Sequence, residues 1–459
     1  MKLNPMQLAA GKAIQQNQNV LLLSPTGSGK TLAYLLPLIS RIDTSMDTLQ
    51  AVVVPSRELA AQVEQVFKSQ VGTSLRGLAL YGGRPTMEEH RRIRELRPQV
   101  VFATPGRLLD HIGKDNLNVL GVRLLVLDEH LYIRQSEYDK CLELGFREEM
   151  SRIGEAMHFV SQVVVASATA FEEEKHDVWG ERAPEAIPDG KTHKVLPVPA
   201  LIVQRKFTAI NYLDMVDDLA SRLKITEIPA PQKDKLETLA QLLTRIGGES
   251  TIVFVSHRES VDRVGQYLRE QGFPISLYHG GQDQEMRERS LYRFRSGAAS
   301  IMVSTDLAAR GLDIPEVRAI VHYHLPLDAA TFAHRSGRTA RWDAEGTAYL
   351  LVGPEEKLPS FVVADESYTV SDVTIKAQPS QWAVLYIGRG KKDKLSKADI
   401  LGFLCKKGGL TSVQIGRIDV NAHTSYVAVQ RNTVKHLLQQ VTGEKIKGMK
   451  TLIEEMRIK

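Results

Sequence analysis

A glycine-rich segment that ends in a lysine and a threonine lies near the start of the chain. Ser24–Thr31 follows the apolar run Val20–Leu23, and it matches the phosphate-loop pattern except that Ser24 replaces the first glycine. In such a loop the glycines let backbone N–H groups approach phosphate, the lysine neutralises the β- and γ-phosphates, and the threonine hydroxyl ligates Mg²⁺. The residues expected to bind nucleotide phosphates are Ser24, Thr26, Gly27, Ser28, Gly29, Lys30 and Thr31.

An acidic pair, Asp128 and Glu129, ends the apolar run Val122–Leu127. The carboxyl ends of parallel strands meet at one edge of a sheet, so we expect this pair to lie beside the phosphate loop. There an aspartate can hold Mg²⁺, partly through water, and a glutamate can orient or deprotonate the attacking water. We expect Thr31 and Asp128 to hold the metal, and Glu129 to act in catalysis with Lys30.

A third candidate segment, His334–Arg341, contains three arginines in eight residues. Arginines that reach a γ-phosphate stabilise the charge of the transition state and raise the rate on the order of 10³–10⁵-fold. The alternative interpretation of this segment, taken alone, is a solvated basic turn.

These segments follow short apolar runs that alternate with helical stretches. Continuous β-branched or aliphatic runs are typical of buried parallel strands with helices on both faces, which predicts an α/β fold. A first series comprises Val20–Leu23, Ala51–Val54, Val100–Ala103, Leu124–Leu127 and Val163–Ala166, and a second comprises Thr251–Val255, Ile275–Tyr278, Ile301–Ser304 and Ala319–His322. We place the linker between the two series near Ile225–Lys235, in a stretch rich in charge and proline.

The tail of the chain, from about Gln381, has a different order of elements. Its pattern predicts β-α-β-β-α, the order of a ferredoxin-like split βαβ unit. The strands are Ala383–Gly388, Val413–Val420 and Ser425–Gln430, the helices are Lys397–Lys407 and Thr433–Val441, and Lys447–Glu454 is a candidate last strand.

Composition limits the class of protein. The 459 residues suggest about three domains, and the apolar (43%) and charged (25%) fractions are ordinary for a globular protein. No apolar run is long enough to span a membrane, the start of the chain lacks a signal-peptide pattern, and the two cysteines fit a reducing cytoplasm. The net charge is +9 from Gln381 onward and −4 before it, so the tail either meets a polyanion or is merely a solvated basic surface.

Taken in order, the motifs resemble those of the DEAD-box RNA helicases. The resemblance is carried by Asn4–Gln7, Ser24–Thr31, Pro55–Ala60, Gly82–Gly83, Thr104–Arg107, Asp128–Glu129, Ser167–Thr169, Val253–Arg258, His279–Arg287, Ser304–Asp313 and His334–Arg341. It implies two RecA-like lobes that use ATP and Mg²⁺ and act on RNA.

The resemblance also implies roles for single residues. Gln7 would read the adenine edge, Asp313 would contact the ribose, and Arg338 and Arg341 would be the arginine fingers. The residues that would couple hydrolysis to RNA binding are Asp139, Ser167, Thr169 and His334. The residues of the two lobes that would contact RNA are Arg57, Gly83, Thr104, Arg107, Gln284, Arg287 and Thr305.

The tail resembles the RRM-like RNA-binding domain of the bacterial DbpA helicases, which in that family recognises a hairpin of large-subunit ribosomal RNA. Strand alternation places Tyr386 and Tyr426 where they either stack RNA bases or simply cover the sheet. The residues favoured for contacts to the RNA backbone are Lys391, Lys392, Lys394, Lys397, Lys406 and Lys407.

One departure from the family pattern affects catalysis. Nine residues, His130–Tyr138, stand where the family has one, and only then does Asp139 resume the motif. The segment from Phe171 to about Arg222 matches nothing recognisable. Two interpretations stay open: a working helicase, or a nucleotide-gated RNA clamp whose hydrolysis or coupling is impaired. A DNA translocase fits the motifs less well.

The resemblance implies an ATP-dependent RNA helicase that locally unwinds short duplexes, on large-subunit ribosomal RNA during ribosome assembly. We expect a cytoplasmic monomer with two RecA-like lobes, residues 1–224 and 225–370, and an RRM-like α+β domain, residues 381–459.

Overall fold

A computed structural model of the chain describes residues 3–25, 28–43, 49–83, 85–128, 146–167, 205–213, 222–306, 314, 317–339 and 345–456. The predicted fold class is confirmed: two parallel sheets flanked by helices are followed by a smaller domain with an antiparallel sheet.

The first lobe is built on a seven-stranded parallel sheet with the order β3-β4-β2-β5-β6-β1-β7. Its strands are β1 (Asn19–Leu23), β2 (Gln50–Val53), β3 (Gly77–Leu80), β4 (Val100–Ala103), β5 (Leu124–Asp128), β6 (Gln162–Ser167) and β7 (Phe207–Asn211). The helices described in this lobe are α1 (Pro5–Gln15), α2 (Lys30–Ser40), α3 (Arg57–Val71), α4 (Thr86–Leu96), α5 (Pro105–Gly113) and α6 (Phe146–Ala156).

Burial on both faces explains why the strands of this sheet are continuous apolar runs. Alternate side chains of β2 enter different cores: Val52 lies in the cluster covered by α1, α2 and α3, and Val53 in the cluster covered by α4, α5 and α6. Both side chains are fully buried. A strand with helices on each face has no side that can be polar.

The second lobe has the same architecture, with the parallel order β10-β11-β9-β12-β13-β8-β14. Its strands are β8 (Leu223–Pro229), β9 (Thr251–Phe254), β10 (Ile275–Tyr278), β11 (Ile301–Ser304), β12 (Ala319–His322), β13 (Gly346–Val352) and β14 (Glu366–Ser367). Its helices among the described residues are α7 (Leu236–Ile246), α8 (Arg258–Glu270), α9 (Gln284–Arg295) and α10 (Ala329–Ser336).

The predicted linker at Ile225–Lys235 is wrong in its first half. Leu223–Pro229 forms β8, which pairs with the whole length of β13. Only some of its side chains are buried, so the strand lacks the continuous apolar run that identified its neighbours.

The tail forms a four-stranded antiparallel sheet with the order β16-β17-β15-β20 and two helices. The elements of this domain are β15 (Trp382–Ile387), α11 (Lys397–Lys406), β16 (Ile415–Val420), β17 (Ser425–Gln430), α12 (Val434–Val441), β18 (Lys445–Ile446), β19 (Met449–Lys450) and β20 (Ile453–Glu455). Helix α11 begins with a capping box between Ser396 and Asp399.

The candidate last strand over Lys447–Glu454 is confirmed only at its end, where β20 spans Ile453–Glu455. A short hairpin, β18 with β19, precedes β20, because Lys447 and Gly448 have φ angles of +53° and +79° and turn the chain. In the part of the chain that the structure describes, no helix is long and apolar enough to cross a membrane.

Candidate active site

The phosphate loop connects β1 to α2 at the carboxyl edge of the first sheet. Lys30 opens α2, its side chain is 6% exposed, and its Nζ donates hydrogen bonds to the carbonyl oxygens of Ser24 (2.8 Å) and Pro25 (3.0 Å). Gly29 has φ +88°, and a Cβ there would lie 2.5 Å from Gln7 Nε2. The positive φ, which side chains other than glycine rarely adopt, is the reason that glycine is favoured at position 29.

Helix α1 packs its first turn against this loop. Asn4 and Gln7 form a reciprocal capping box, in which Gln7 N donates to Asn4 Oδ1 (2.8 Å) and Asn4 N donates to Gln7 Oε1 (3.0 Å). Asn4 Nδ2 then donates to Ser28 O (3.0 Å), and Gln7 Nε2 to Gly29 O (3.2 Å). The N-terminal cap of α1 thus hydrogen-bonds the phosphate loop that precedes α2.

The hydrogen bonds of Gln7 leave part of its side-chain amide available. The amide has two N–H donors and two acceptor lone pairs, and the structure uses one of each. The remaining donor and acceptor match the N7 acceptor and N6 donor of an adenine edge. The geometry is therefore compatible with the role expected of Gln7.

Asp128 lies at the carboxyl end of β5, two strands away from the phosphate loop. Strand β6 lies between β5 and β1, and Ser24 N donates to Ser167 O (3.0 Å), which ties the loop to the end of β6. The carboxylate is 2% exposed and accepts a hydrogen bond from the hydroxyl of the fully buried Tyr34 (2.6 Å, to Oδ2). The sequence analysis missed Tyr34, because no local pattern relates it to Asp128, 94 residues away.

The donor chemistry at this edge fits Mg²⁺. The hydroxyl of Thr31 and the carboxylate of Asp128 supply hard oxygen ligands, and Mg²⁺ is bound in proteins by few such groups together with water and substrate phosphates. Ser28 Oγ is buried without a hydrogen-bond partner among the described residues, so the loop holds a further uncommitted polar group. No cluster of three or more His, Cys, Asp or Glu suited to a metal occurs in the described ranges.

We expect Tyr34→Phe to lower kcat for ATP hydrolysis about tenfold or more, because a buried carboxylate would lose a charge-assisted hydrogen bond worth roughly 1.5–3 kcal/mol. KM for ATP should change little, since the Tyr34 side chain is fully buried. Steady-state kinetics would test this, with Tyr212→Phe, a partly buried tyrosine packed against the same core, as the matched control. Unchanged kcat in Tyr34→Phe would contradict a role for this bond.

In the first lobe, the segments that carry the expected RNA contacts pack closely on their neighbours at two places. The Arg57 guanidinium lies against Gly82, where a Cβ would be 3.1 Å from Nη2. At the start of α5, a Cβ on Gly106 would be 2.8 Å from Glu149 Oε1 of α6. Thr104 is the N-cap residue of α5.

Arg107 is largely committed to contacts within the protein. Its side chain is 10% exposed, and its Nε lies 3.2 Å from the buried carboxylate of Glu89. Its Nη1 donates to Thr86 Oγ1 (2.6 Å) and Asp110 Oδ2 (3.2 Å). His111 Nε2 approaches the same Glu89 oxygen at 3.0 Å, so Glu89 is the centre of a buried network that sequence reasoning did not find.

In the second lobe, Arg335 joins two of the predicted motif segments. The side chain is 2% exposed, and it donates from Nε and Nη2 to the two carboxylate oxygens of Asp306 (2.5 and 3.2 Å). Its Nη1 donates to His324 O (2.9 Å). Arg338, one of the two expected arginine fingers, lies two residues after the end of α10 and is 4% exposed. Arg335 and Asp306 both lie inside motif segments, but the sequence pattern assigns a role to neither.

Helix α9 carries the other pair expected to contact RNA. Arg287 Nη2 donates to Gln284 Oε1 (2.8 Å) across one turn, and the Arg287 side chain is 7% exposed. Thr305 follows β11 directly, and His334 is buried in α10.

Two histidines near the ends of β9 and β12 are held in their neutral form. Burial, then the positive charge of Arg335, lowers the pKa of His322 well below its usual range. Burial, followed by the charges of Lys235 and His257, lowers the pKa of His324 to about 4. The neutral state of His324 also fits the hydrogen bond that its Nδ1 accepts from Ser256 N (2.9 Å).

We expect the second lobe to lose stability as the pH falls from 7 to 5. The unfolded chain protonates His324 near its ordinary pKa of 6.5 and the folded chain near 4, so the unfolded state binds more protons in this window. His324→Asn keeps an acceptor for Ser256 N and should remove about half of the fall in the local stability that hydrogen exchange reports at β9 and β12, because His322 titrates in the same sense. The exposed His423→Asn is the control. Equal slopes in His324→Asn and the parent would contradict this assignment.

The tail contains two groups of residues expected to contact RNA, lysines and tyrosines, which differ in exposure. All six lysines, from Lys391 to Lys407, are exposed. By contrast, Tyr426 is 2% exposed and packs against Tyr292 of α9, with ring centroids 5.3 Å apart. No base could stack on Tyr426 in this arrangement, which matches the interpretation that the tyrosines cover the sheet. Tyr386 is partly buried beside Tyr426.

Several expected site residues lie outside the described residues, and so do the nine-residue insert and most of the unmatched segment after Phe171. These site residues are Thr26, Gly27, Glu129, Asp139, Thr169, Asp313 and Arg341. Their roles stay predictions. Lys30, Asp128 and Ser167 are brought to one sheet edge of the first lobe, as expected from the strand order.

Three known domain families match the chain in sequence order. Residues 4–178 match the DEAD/DEAH box helicase family, and residues 234–343 match the helicase conserved C-terminal domain. Residues 384–455 match the DbpA RNA binding domain. Together these ranges include every site residue expected from the sequence.

Relatives of known function extend this similarity over nearly the whole chain. The ATP-dependent RNA helicase DbpA of Escherichia coli is 32% identical over 460 aligned positions, which cover 98% of this chain and 93% of the relative. The ATP-dependent RNA helicase CshA of Listeria monocytogenes is 34% identical, covering 72% of this chain and 58% of the relative. The chain thus spans less than two thirds of CshA but nearly all of the E. coli protein.

Solved structures share the fold of the two lobes. Saccharomyces cerevisiae Dbp5 bound to RNA and ADP BeF3 superimposes with a TM-score of 0.62 and 22% identity, covering 81% of this chain and 95% of that one. Mss116 bound to ssRNA and UDP-BeF gives a TM-score of 0.60 and 22% identity, covering 80% and 75%. At this identity the similarity shows the fold alone.

Proposed function

Because this chain belongs to the DEAD-box ATP-dependent RNA helicases of the DbpA type, we propose that it separates short RNA duplexes locally, on large-subunit ribosomal RNA during ribosome assembly. The observation that carries the proposal is the match to the E. coli helicase over 98% of this chain, including the RNA-binding tail. An assembly role would place the protein in the cytoplasm.

The nucleotide half of the proposal rests on the edge of the first sheet. Lys30 would exchange its bonds to Ser24 O and Pro25 O for the β- and γ-phosphates of ATP, and Gln7 would hold the adenine edge with its remaining donor and acceptor. Thr31 and Asp128 would hold Mg²⁺, which supplies charge neutralisation at the phosphates. Tyr34 fixes the orientation of the Asp128 carboxylate through a 2.6 Å hydrogen bond.

Hydrolysis further requires an activated water and charge stabilisation at the γ-phosphate. We assign the first role to Glu129, and the second to Arg338 and Arg341 as arginine fingers, because the motif order matches the family. Asp313 would contact the ribose. Ser167, Thr169, Asp139 and His334 would couple these steps to RNA.

The RNA half of the proposal rests on the exposed lysines of the tail. Lysines that contact phosphates supply affinity without sequence preference, and their effect falls steeply with salt. The six exposed lysines would anchor a ribosomal RNA hairpin, and the two lobes would act on a neighbouring duplex through Arg57, Gly83, Thr104, Gln284, Arg287 and Thr305.

Steady-state ATP hydrolysis tests the proposal. We would compare no RNA, random RNA and a large-subunit ribosomal RNA fragment, with Glu129→Gln as the control for turnover. Stimulation by the ribosomal fragment alone, lost in Glu129→Gln, is the expected result. Equal stimulation by random RNA would contradict the proposed target. ATP binding without turnover above the control would mean that the insert at His130–Tyr138 has left a nucleotide-gated RNA clamp.

A further inference from the structure

The face of the tail's sheet that its own helices leave uncovered packs on helix α9 of the second lobe. Tyr292 of α9 (3% exposed) and Tyr426 of β17 (2% exposed) form a buried cluster with Val384 and Met456. The ring centroids of Tyr292 and Tyr426 are 5.3 Å apart. In addition, the hydroxyl of Tyr292 donates to the carbonyl oxygen of Arg417 on β16.

Charged side chains complete this contact. The Arg289 guanidinium lies over the ring of Tyr386, 5.4 Å from its centroid, in cation–π geometry. Burial, then the positive charge of Arg431 in the tail, lowers the pKa of Arg293 to about 10, as expected of a guanidinium removed from water. We call Arg289, Tyr292 and Arg293 of α9 the docking face, and its partners in the tail include Tyr386 and Tyr426.

The chain on either side of the contact is also fixed. Ser380 Oγ donates to Gly297 O (2.6 Å), just after α9 ends, and Arg431 Nε donates to Ser380 O (2.9 Å). The ring of Trp382 lies beside Gly297, where a Cβ would be 3.4 Å from Cδ1. The segment that leads into the tail is therefore held at the same place as the sheet.

The same helix carries the pair expected to contact RNA. Residues 289, 292 and 293 lie on one face of α9 because they are three and four positions apart, and Gln284 and Arg287 lie in its first turns. With a rise of 1.5 Å per residue, Gln284 and Tyr292 are separated by about 12 Å along the helix axis. A single rigid element thus links the tail to the RNA-contacting end of the second lobe.

We propose that α9 is a positioning element: its docking face holds the tail rigidly, so that RNA bound by the tail reaches Gln284 and Arg287 at a fixed spacing. This inference rests on the proposed function for the identity of the RNA. A flexibly tethered tail would deliver RNA over a wide range of distances, whereas a rigid connection favours one span and disfavours others.

Two measurements on the full chain test this, with three variants. Tyr292→Glu places a charge in the aromatic cluster, and Arg289→Glu removes the cation–π contact at a position less buried in the lobe. Tyr292→Phe keeps the ring and is the matched control. Small-angle scattering without RNA reports whether the tail is docked. Unwinding rates on substrates with 0 to about 12 nucleotides between a ribosomal RNA hairpin and a duplex report the spacing.

We expect the parent and Tyr292→Phe to be compact and to unwind best at one spacer length. Tyr292→Glu and Arg289→Glu should have a larger radius of gyration and a flattened spacer profile, while hairpin affinity stays within about twofold, since the tail's lysines are unchanged. If Tyr292→Glu does not fold, as judged by circular dichroism, Arg289→Glu decides.

Three results would overturn the inference: an unchanged radius of gyration in the variants, an unchanged spacer profile, or an expansion of the parent protein on adding the ribosomal RNA fragment. The last would mean that RNA displaces α9 from the sheet and stacks on Tyr426, which leaves the proposed function intact. If the parent unwinds no substrate, the proposed function fails, and the scattering result alone still decides whether the tail is docked.

Discussion

Replacement of Lys30 by alanine is expected to reduce ATP hydrolysis by at least about 10³-fold, below the limit of a standard steady-state assay. One positioned donor at a developing charge contributes on the order of 10²–10³ in rate, and Lys30 would also contribute to nucleotide binding. The structure adds a second reason, because Lys30 Nζ bonds the carbonyl oxygens of Ser24 and Pro25 and so holds the loop. Hydrolysis and binding of a fluorescent ATP analogue would both be measured.

The matched control for this variant is Lys12→Ala, which removes an exposed lysine from α1 in the same lobe. It should leave both measurements within about twofold of the parent, because an exposed charge away from the site contributes little. Retention of a tenth or more of the activity by Lys30→Ala would show that phosphate charge is neutralised elsewhere, and the assignment of this loop would then fail.

The strands that carry the site could be predicted because they are buried on both faces. The runs at Val100–Ala103, Ile275–Tyr278 and Ile301–Ser304 coincide with β4, β10 and β11 as the structure has them. Strands with mixed burial, such as β7 and β8, escaped prediction because their exposed and partly exposed positions interrupt the continuous apolar run.

The residues that support the site were harder to predict than the residues that perform chemistry. The phosphate loop has a local spacing that chemistry dictates, whereas the bond between Tyr34 and Asp128 joins positions 94 residues apart. Glu89 is similar, because its partners Arg107 and His111 lie on another helix. Only packing brings such groups together, and packing leaves no fixed spacing in the sequence.

In the tail, the sequence likewise does not show what covers the face of the sheet that carries Tyr426. Alternation along β17 correctly separates Tyr426 from Val427, which lies in the core under the tail's helices. Alternation cannot tell what covers the other face, because that depends on where the domain meets its neighbour. The sequence therefore leaves two interpretations of Tyr426 open, and the contact with Tyr292 of α9 favours the one in which it covers the sheet.

The second large effect is expected in Arg335→Ala, which should destabilise the second lobe by about 3 kcal/mol. Breaking a buried ion pair costs about 3–5 kcal/mol because it leaves an uncompensated charge, and the low end applies here since Asp306 is 32% exposed and can be hydrated. Hydrogen exchange at β11 and β12 would report the loss locally, which a global melting curve of a multidomain chain does not.

The same substitution should abolish RNA stimulation of ATP hydrolysis while nucleotide binding persists. Arg335 links the segment after β11, which contains Asp306 and Thr305, to α10, which contains His334. Thr305 and His334 are expected to respond to RNA. Nucleotide binding should persist because the phosphate loop belongs to the first lobe. Arg335→Lys keeps the charge but cannot bridge both Asp306 oxygens and His324 O, so an intermediate loss is expected. The surface pair of Arg258 with Glu259 supplies the control, and Arg258→Ala should change stability by no more than about 0.5 kcal/mol. If Arg335→Ala were as stable and as responsive to RNA as Arg258→Ala, the buried pair would be dispensable, and the coupling of the two motifs would have to run through other contacts.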